Sequence, residues 1–161
     1  MAETHATVYV AGPLGFSAPG ARYHAEVVLP ALRAAGFEPL DPWAVPAAIA
    51  AVLALPEGDP VRVEQLPGVN EAIGRRNAEL IARADHVLAV LDGMELDSGT
   101  AAEIGYAAGL GTRVVGLRTD FRRAGDNEAA LVNLQVEWFI RASGGAIERD
   151  LDAAIARLRG E

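Results

Sequence analysis

The chain of 161 residues is long enough for one domain with a real apolar core, and its apolar share of 51% excludes a disordered tail or a fibre. A formal charge of -8 with no basic run argues against tracking a phosphate backbone, so no nucleic-acid partner is expected. There is no cysteine, and three scattered His residues offer no ligand spacing; with no basic-then-apolar leader and no long apolar run, the reading is a cytoplasmic protein without a metal or a membrane partner.

Residues 7–11 (TVYVA) read as a short buried strand that stops at Gly12-Pro13. From 21 to 35 the positions Ala25, Val28, Leu29, Leu32 and Ala35 recur at helical spacing, and Gly36 stands where a left-handed cap occurs. Residues 37–40 give a second strand. Asp41-Pro42-Trp43 then opens an irregular stretch to about residue 68, with a short helix over 47–55; loops of that length are usually lids or binding loops. A helix over 70–84, with Ile73, Leu80 and Ile81 on one face, leads into the apolar strand 86–91.

Residues 98–110 form the next helix, ending at Gly111, and 113–117 (RVVGL) the next strand. Residues 118–132 read as loop, 136–140 as the last strand and 147–158 as the terminal helix. Alternating strands and helices imply parallel βαβ units with both sheet faces covered. The expected fold is α/β, a flavodoxin-like three-layer arrangement with about five parallel strands. In such sheets ligands bind beyond the carboxyl ends of the strands.

That rule places the site among the segments after each strand, 12–16, 41–43, 92–103 and from 118 onward. Carboxylates crowd one of them: Asp92, Glu95, Asp97 and Glu103 share a single strand-to-helix connection, where Asp97-Ser98-Gly99-Thr100 suits a tight turn into a helix. Such a cluster can serve sugar chemistry, with one group attacking C1' and others managing protons and hydroxyls. Thr100-x-x-Glu103 equally reads as a capping box, in which Glu103 only satisfies a backbone N–H. Gly12-Pro13 alone is a turn, Asn77 alone a solvated helix residue, and Phe16 and Trp43 alone core residues.

Taken in order, Val8-Tyr9-Val10-Ala11-Gly12-Pro13-Leu14 with Phe16, Leu40-Asp41-Pro42, Asn77 before Asp85, Asp97-Ser98-Gly99-Thr100-Ala101-Ala102-Glu103-Ile104-Gly105-Tyr106-Ala107 and Asn133-Leu134-Gln135-Val136-Glu137 resemble the nucleoside 2-deoxyribosyltransferase family. The resemblance implies transfer of a 2-deoxyribosyl group between nucleobases without a cofactor. Glu103 aligns with the family's nucleophile, Asp97 with the acid that holds sugar hydroxyls, and Tyr9 with a tyrosine that orients the nucleophile and favours its charged form. Asn133 aligns with an asparagine supplied by a neighbouring subunit, which implies a homo-oligomer.

Gly12, Asp41, Asp92 and Gly99 complete the expected substrate-binding set, with Leu14, Phe16 and Trp43 assigned to the base pocket. Two positions depart from the pattern. Asn77 stands where many members carry an aspartate that helps protonate the base, so Asp92, a water or the base's own basicity must supply that proton. Gln135 replaces a methionine found in some members. The rival readings are an N-glycosidase of deoxynucleoside 5'-monophosphates, which Asp97 disfavours and Ser98, Arg122 and Arg123 favour, and a non-catalytic nucleotide-binding module.

Overall fold

The computed structural model describes residues 5–161, so the first four, part of the segment read as lacking a leader, lie outside the described residues. Five strands form one sheet in the order β2-β1-β3-β4-β5, every pairing parallel: β1 Ala6–Ala11, β2 Phe37–Leu40, β3 His86–Val90, β4 Arg113–Leu117 and β5 Ile147–Glu148. This is the flavodoxin-like order. The chain leaves β1 toward β2 and later returns to the other side of β1 as β3, so a crevice opens at their carboxyl ends.

Strand alternation divides the core between two faces. Val8, Val10, Leu88 and Val90 turn toward the first helical layer, where Val28, Leu29 and Leu32 meet Ile155 and Leu158. Tyr9, Ala11, Val87 and Ala89 turn the other way, against Leu80, Ile81, Ile104 and Ile140. The period of two therefore decides which face Tyr9 serves, and it is the face covered by the helix that carries Glu103.

The first helical layer begins with a single 3-10 turn, Leu14–Phe16, followed by α1 Ala18–Tyr23, a π-helical turn His24–Val28 and α2 Leu29–Ala34. Gly36, at φ 88, ends it as expected. Helix α3, Ala47–Leu53, is shorter than predicted, and the largest difference follows it. Helix α4 runs from Pro60 to Ala82, ten residues earlier than the apolar spacing suggested, because Asp59 accepts hydrogen bonds from Val61 and Arg62 and Pro60 occupies the first turn. Pro67 lies inside α4; its first half is mostly exposed, so no apolar stripe announces it.

Helix α5 spans Ser98–Gly109. The expected strand over 136–140 is instead part of α6, Leu134–Ala142, with Val136 and Ile140 one turn apart on the core side and Asn133 as the cap. The last strand is the two-residue β5, which pairs Ile147 with Gly116, and α7 covers Leu151–Arg159.

Candidate functional site

A cavity of about 420 Å³ opens at the crevice between the carboxyl ends of β1 and β3. Gly12, Asp97, Gly99, Thr100 and Glu103 line one part, and Phe16, Pro42, Trp43, Val45, Leu53, Ile73 and Asn77 line the rest. Gly12 is required where it stands. It has φ 154, and a Cβ there would lie 2.9 Å from the Cβ of Val90.

Glu103 lies in the second turn of α5, and its Oε1 accepts a 2.6 Å hydrogen bond from the hydroxyl of fully buried Tyr9. The capping-box alternative does not hold. Asp97 is the N-cap, its Oδ2 accepting from the Thr100 N–H at 2.8 Å and from Thr100 Oγ1 at 2.9 Å, so Glu103 sits too far into the helix to cap it. A side chain at Gly99 would stand 3.1 Å from that same Asp97 oxygen.

Burial pushes the Glu103 carboxyl above its ordinary range; the Tyr9 hydrogen bond opposes the shift and the Asp97 charge adds to it. The expectation that Tyr9 would hold Glu103 toward its charged form is thus corrected in the balance: desolvation is the larger effect. Burial and then the Glu103 charge push the Tyr9 hydroxyl far up, so Tyr9 stays protonated and donates.

The opposite part of the cavity is apolar and aromatic. Phe16 and Trp43 meet edge to face with centroids 4.8 Å apart, and Phe16 is 75% exposed, so neither is a conventional core residue. Trp43 lies over Gly15, where a Cβ would come within 2.2 Å of the indole. Asn77 faces the cavity from α4, and its buried Oδ1 has no hydrogen-bond partner among the described residues.

Several expected contacts fall elsewhere. Leu14 packs on the core between the sheet and the first helical layer and does not line the cavity. Asp41 also lies behind the wall: its Oδ1 accepts from His24 Nε2 and from the Trp43 N–H, both at 2.9 Å. Burial works against the Asp41 charge, but these hydrogen bonds and the charge of Arg76 hold its carboxyl below the usual range. Asp92 is occupied by the loop after β4, accepting from the Thr119 N–H, the Thr119 hydroxyl and the Asp120 N–H, so it is not placed to deliver a proton in the cavity.

Asn133 caps α6 through its Oδ1 and borders a separate hollow with Met94, Leu96 and Asp126. Arg122 is paired with Asp120, and Arg123 donates to the Glu128 carbonyl. The sequence does not single out Val45 or Leu53, and it marks Thr100 only as part of the turn into α5 and of a capping box, not as cavity lining. Ile73 was read only as the inward face of a helix, and the long loop after β2 was the one signal for Val45 and Leu53.

No curated protein matches the chain. Among solved structures, a conserved protein from Enterococcus faecalis V583 is 23% identical with a TM-score of 0.71, covering 98% of this chain and 99% of that one. A 2-desoxiribosyltransferase from Leishmania mexicana is 24% identical with a TM-score of 0.65, at 94% and 95% coverage. A CMP N-glycosidase from Clostridium botulinum shares the fold more distantly, at 13% identity, a TM-score of 0.56 and 96% and 99% coverage. The family described as nucleoside 2-deoxyribosyltransferase matches residues 8–138, which takes in the β1 turn, the Asp97–Glu103 block and most of α6; the chain belongs to that family.

Proposed function

We propose that the protein exchanges the base of 2-deoxynucleosides through a covalent glycosyl-Glu103 intermediate. The observation that carries this is the Tyr9–Glu103 pair, set at the closed, acidic part of a cavity whose other part is an apolar slot for a planar base. In the first half-reaction the Glu103 carboxylate forms a bond to C1' as the C1'–N bond breaks. The base departs with that electron pair and takes up a proton. In the second, a ring nitrogen of the incoming base attacks C1', the ester C1'–O bond breaks, and Glu103 recovers its carboxylate while the base loses its proton to solvent. Two inversions give retention.

Asp97 suits the sugar. Its hydrogen bonds to Thr100 fall on Oδ2, which leaves Oδ1 to accept from a sugar hydroxyl. Asn77 presents an amide where an acid would protonate the base, so the proton comes from water or the base departs on its own basicity.

Asn133 is proposed to act on the site of a second copy. It is exposed, its Oδ1 is committed to its own helix, and its Nδ2, which makes only a long 3.5 Å hydrogen bond to Asp126 Oδ1, has a second N–H to donate. Exposed Tyr106 on α5, Leu110 at its C-cap, and Leu134 and Trp138 on α6, the two helices packing together, support an interface beside it.

A second reading, hydrolysis of a nucleoside monophosphate, draws on the likeness to the CMP N-glycosidase. It is disfavoured because Asp97 would repel a phosphate and because Arg122 and Arg123 are committed to their own loop. Chromatography of purified protein with deoxyinosine or thymidine as donor and adenine as acceptor separates the readings. Deoxyadenosine that depends on added adenine supports exchange; free base released from a deoxynucleoside monophosphate, with no deoxyadenosine in the first reaction, establishes the hydrolase instead.

A further inference from the structure

One wall of the cavity is a turn, residues 41–44, with no regular structure of its own. It contributes Pro42 and Trp43 to the lining, and Val45 follows directly. A turn in that position would be the most mobile part of the site unless something held it, since its only internal main-chain hydrogen bond runs from the Val45 N–H to the Trp43 carbonyl. Two side chains supply the hold. Arg76, one residue before Asn77 on α4, donates from Nη1 to the Pro42 carbonyl at 3.2 Å and from Nη2 to the carbonyls of Asp41 at 3.2 Å and Ala44 at 2.8 Å. Buried His24, from the π-helical turn, holds Asp41 from the other side, and Asp41 in turn holds the Trp43 N–H. Arg76 makes no ion pair among the described residues; its guanidinium is spent on main-chain carbonyls.

We infer that Arg76, assisted by His24 and Asp41, is a positioning residue that fixes the base-side wall and so sets how the glycosylated enzyme divides between an acceptor base and water; this rests on the exchange reading above. The reason is competition at one carbon. Water reaches C1' whenever the cavity is open, whereas a base captures the sugar only while it dwells against Pro42, Trp43 and Val45 with a ring nitrogen in line. In both cases the C1'–O ester bond breaks and its electron pair returns to Glu103. With a base, the new bond is C1'–N and the base's proton passes to solvent; with water, it is C1'–O and one water proton is released. A loosened wall weakens the first path and leaves the second intact. Asp41, a carboxylate near the cavity that does not line it, is thereby assigned to holding the wall and not to touching substrate.

The test uses the full chain as wild type, Arg76→Lys, Arg76→Met and, as a control one residue away, Arg75→Met, which loses only an exposed pair with Glu71. Deoxyinosine and a fixed adenine concentration are supplied, deoxyadenosine and free deoxyribose are quantified, and adenine binding to each protein is measured by titration calorimetry. The product ratio does not depend on how much of a preparation is folded, and a single lysine nitrogen cannot reach the carbonyls that the guanidinium spans. Both Arg76 variants are expected to move the ratio toward deoxyribose by about fivefold or more and to weaken adenine binding by a similar factor, with Arg75→Met unchanged. If Arg76→Met does not fold, Arg76→Lys decides. Wild-type transfer with unmoved ratios and affinities in the Arg76 variants overturns the inference alone; absence of adenine-dependent product from the wild type overturns the exchange reading and the inference with it.

Discussion

The two ends of the cavity are built by different means. The acidic end comes from regular structure: Tyr9 from the centre of β1, Glu103 from the second turn of α5, and Asp97 from the cap of that helix. Its geometry follows from strand register and helical rise, which set the Tyr9–Glu103 distance without further support. The apolar end comes from a 3-10 turn, the 41–44 turn, short α3 and the half-buried face of α4, and it needs braces in Arg76 and His24. Under the proposed exchange, bond-making at C1' tolerates little displacement whereas bases of different shape must be accommodated, so the rigid end suits the chemistry and the braced end recognition.

Changes at the acidic end should therefore alter rate far more than affinity. The largest effect is expected for Glu103→Gln: loss of transfer by about 10,000-fold with nucleoside binding retained, measured by single-turnover chromatography and calorimetry. A non-catalytic binding module would have no such activity to lose. The same variant should be more stable than wild type at neutral pH. The Glu103 carboxyl is raised in the folded state, so its ionised form opposes folding above that raised value. The advantage of Glu103→Gln should shrink as pH falls through the raised value and vanish below the ordinary glutamate range, which denaturant melts across pH will show.

Tyr9→Phe comes next. It removes one hydrogen bond to a charged acceptor, so kcat/KM should fall by about 10- to 100-fold. Because that bond holds the Glu103 carboxyl down, losing it pushes the carboxyl further up, and the acid limb of the kcat/KM profile should move to higher pH. An unmoved limb would mean that Tyr9 acts only through packing.

Legibility in the sequence follows the same division. The sequence bounds β2 and β4 as they stand, and β1 and β3 to within one residue, because short apolar runs ended by Gly12, Asp41, Asp92 or Arg118 leave little choice. The run Val136-Glu137-Trp138-Phe139-Ile140 reads as a strand because β-branched and aromatic residues favour one, but a strand would put Trp138 on the same face as Val136 and Ile140; here those two are buried one helical turn apart while Trp138 is exposed, and Asn133 caps the helix. β5 has two residues and no signal except its partner β4. Tyr9, Asp97 and Glu103 are legible as a motif. Arg76 and His24 are not, because a lone arginine on a polar helix face carries no mark of which distant turn it will grip, and Asp41, expected to bind substrate, lies outside the cavity lining with its Oδ1 held by His24 and the Trp43 N–H.

At the base end the effects should be smaller and should depend on which base is used. Asn77→Asp supplies an acid where the chain has an amide. With a donor whose base leaves poorly unless protonated, kcat is expected to rise by about tenfold and to acquire a new limb, falling as pH rises past the aspartate's own ionisation. A donor whose base departs readily should change much less. Equal responses from the two donors, compared in full pH profiles, would show that Asn77 does not face the departing nitrogen.

The smallest effect belongs to Phe16. Its ring is 75% exposed and touches Trp43 edge to face, so replacing it with alanine removes part of the slot's rim but little buried area. Stability should stay within about 0.5 kcal/mol of wild type, as for other exposed positions. The KM for a purine nucleoside should rise by about three- to tenfold through lost contact with the base, with kcat nearly unchanged. A change confined to KM would place Phe16 wholly at the recognition end. A comparable fall in kcat would mean that the rim also aligns the base for attack at C1', and that the two ends of the cavity are coupled through the base itself.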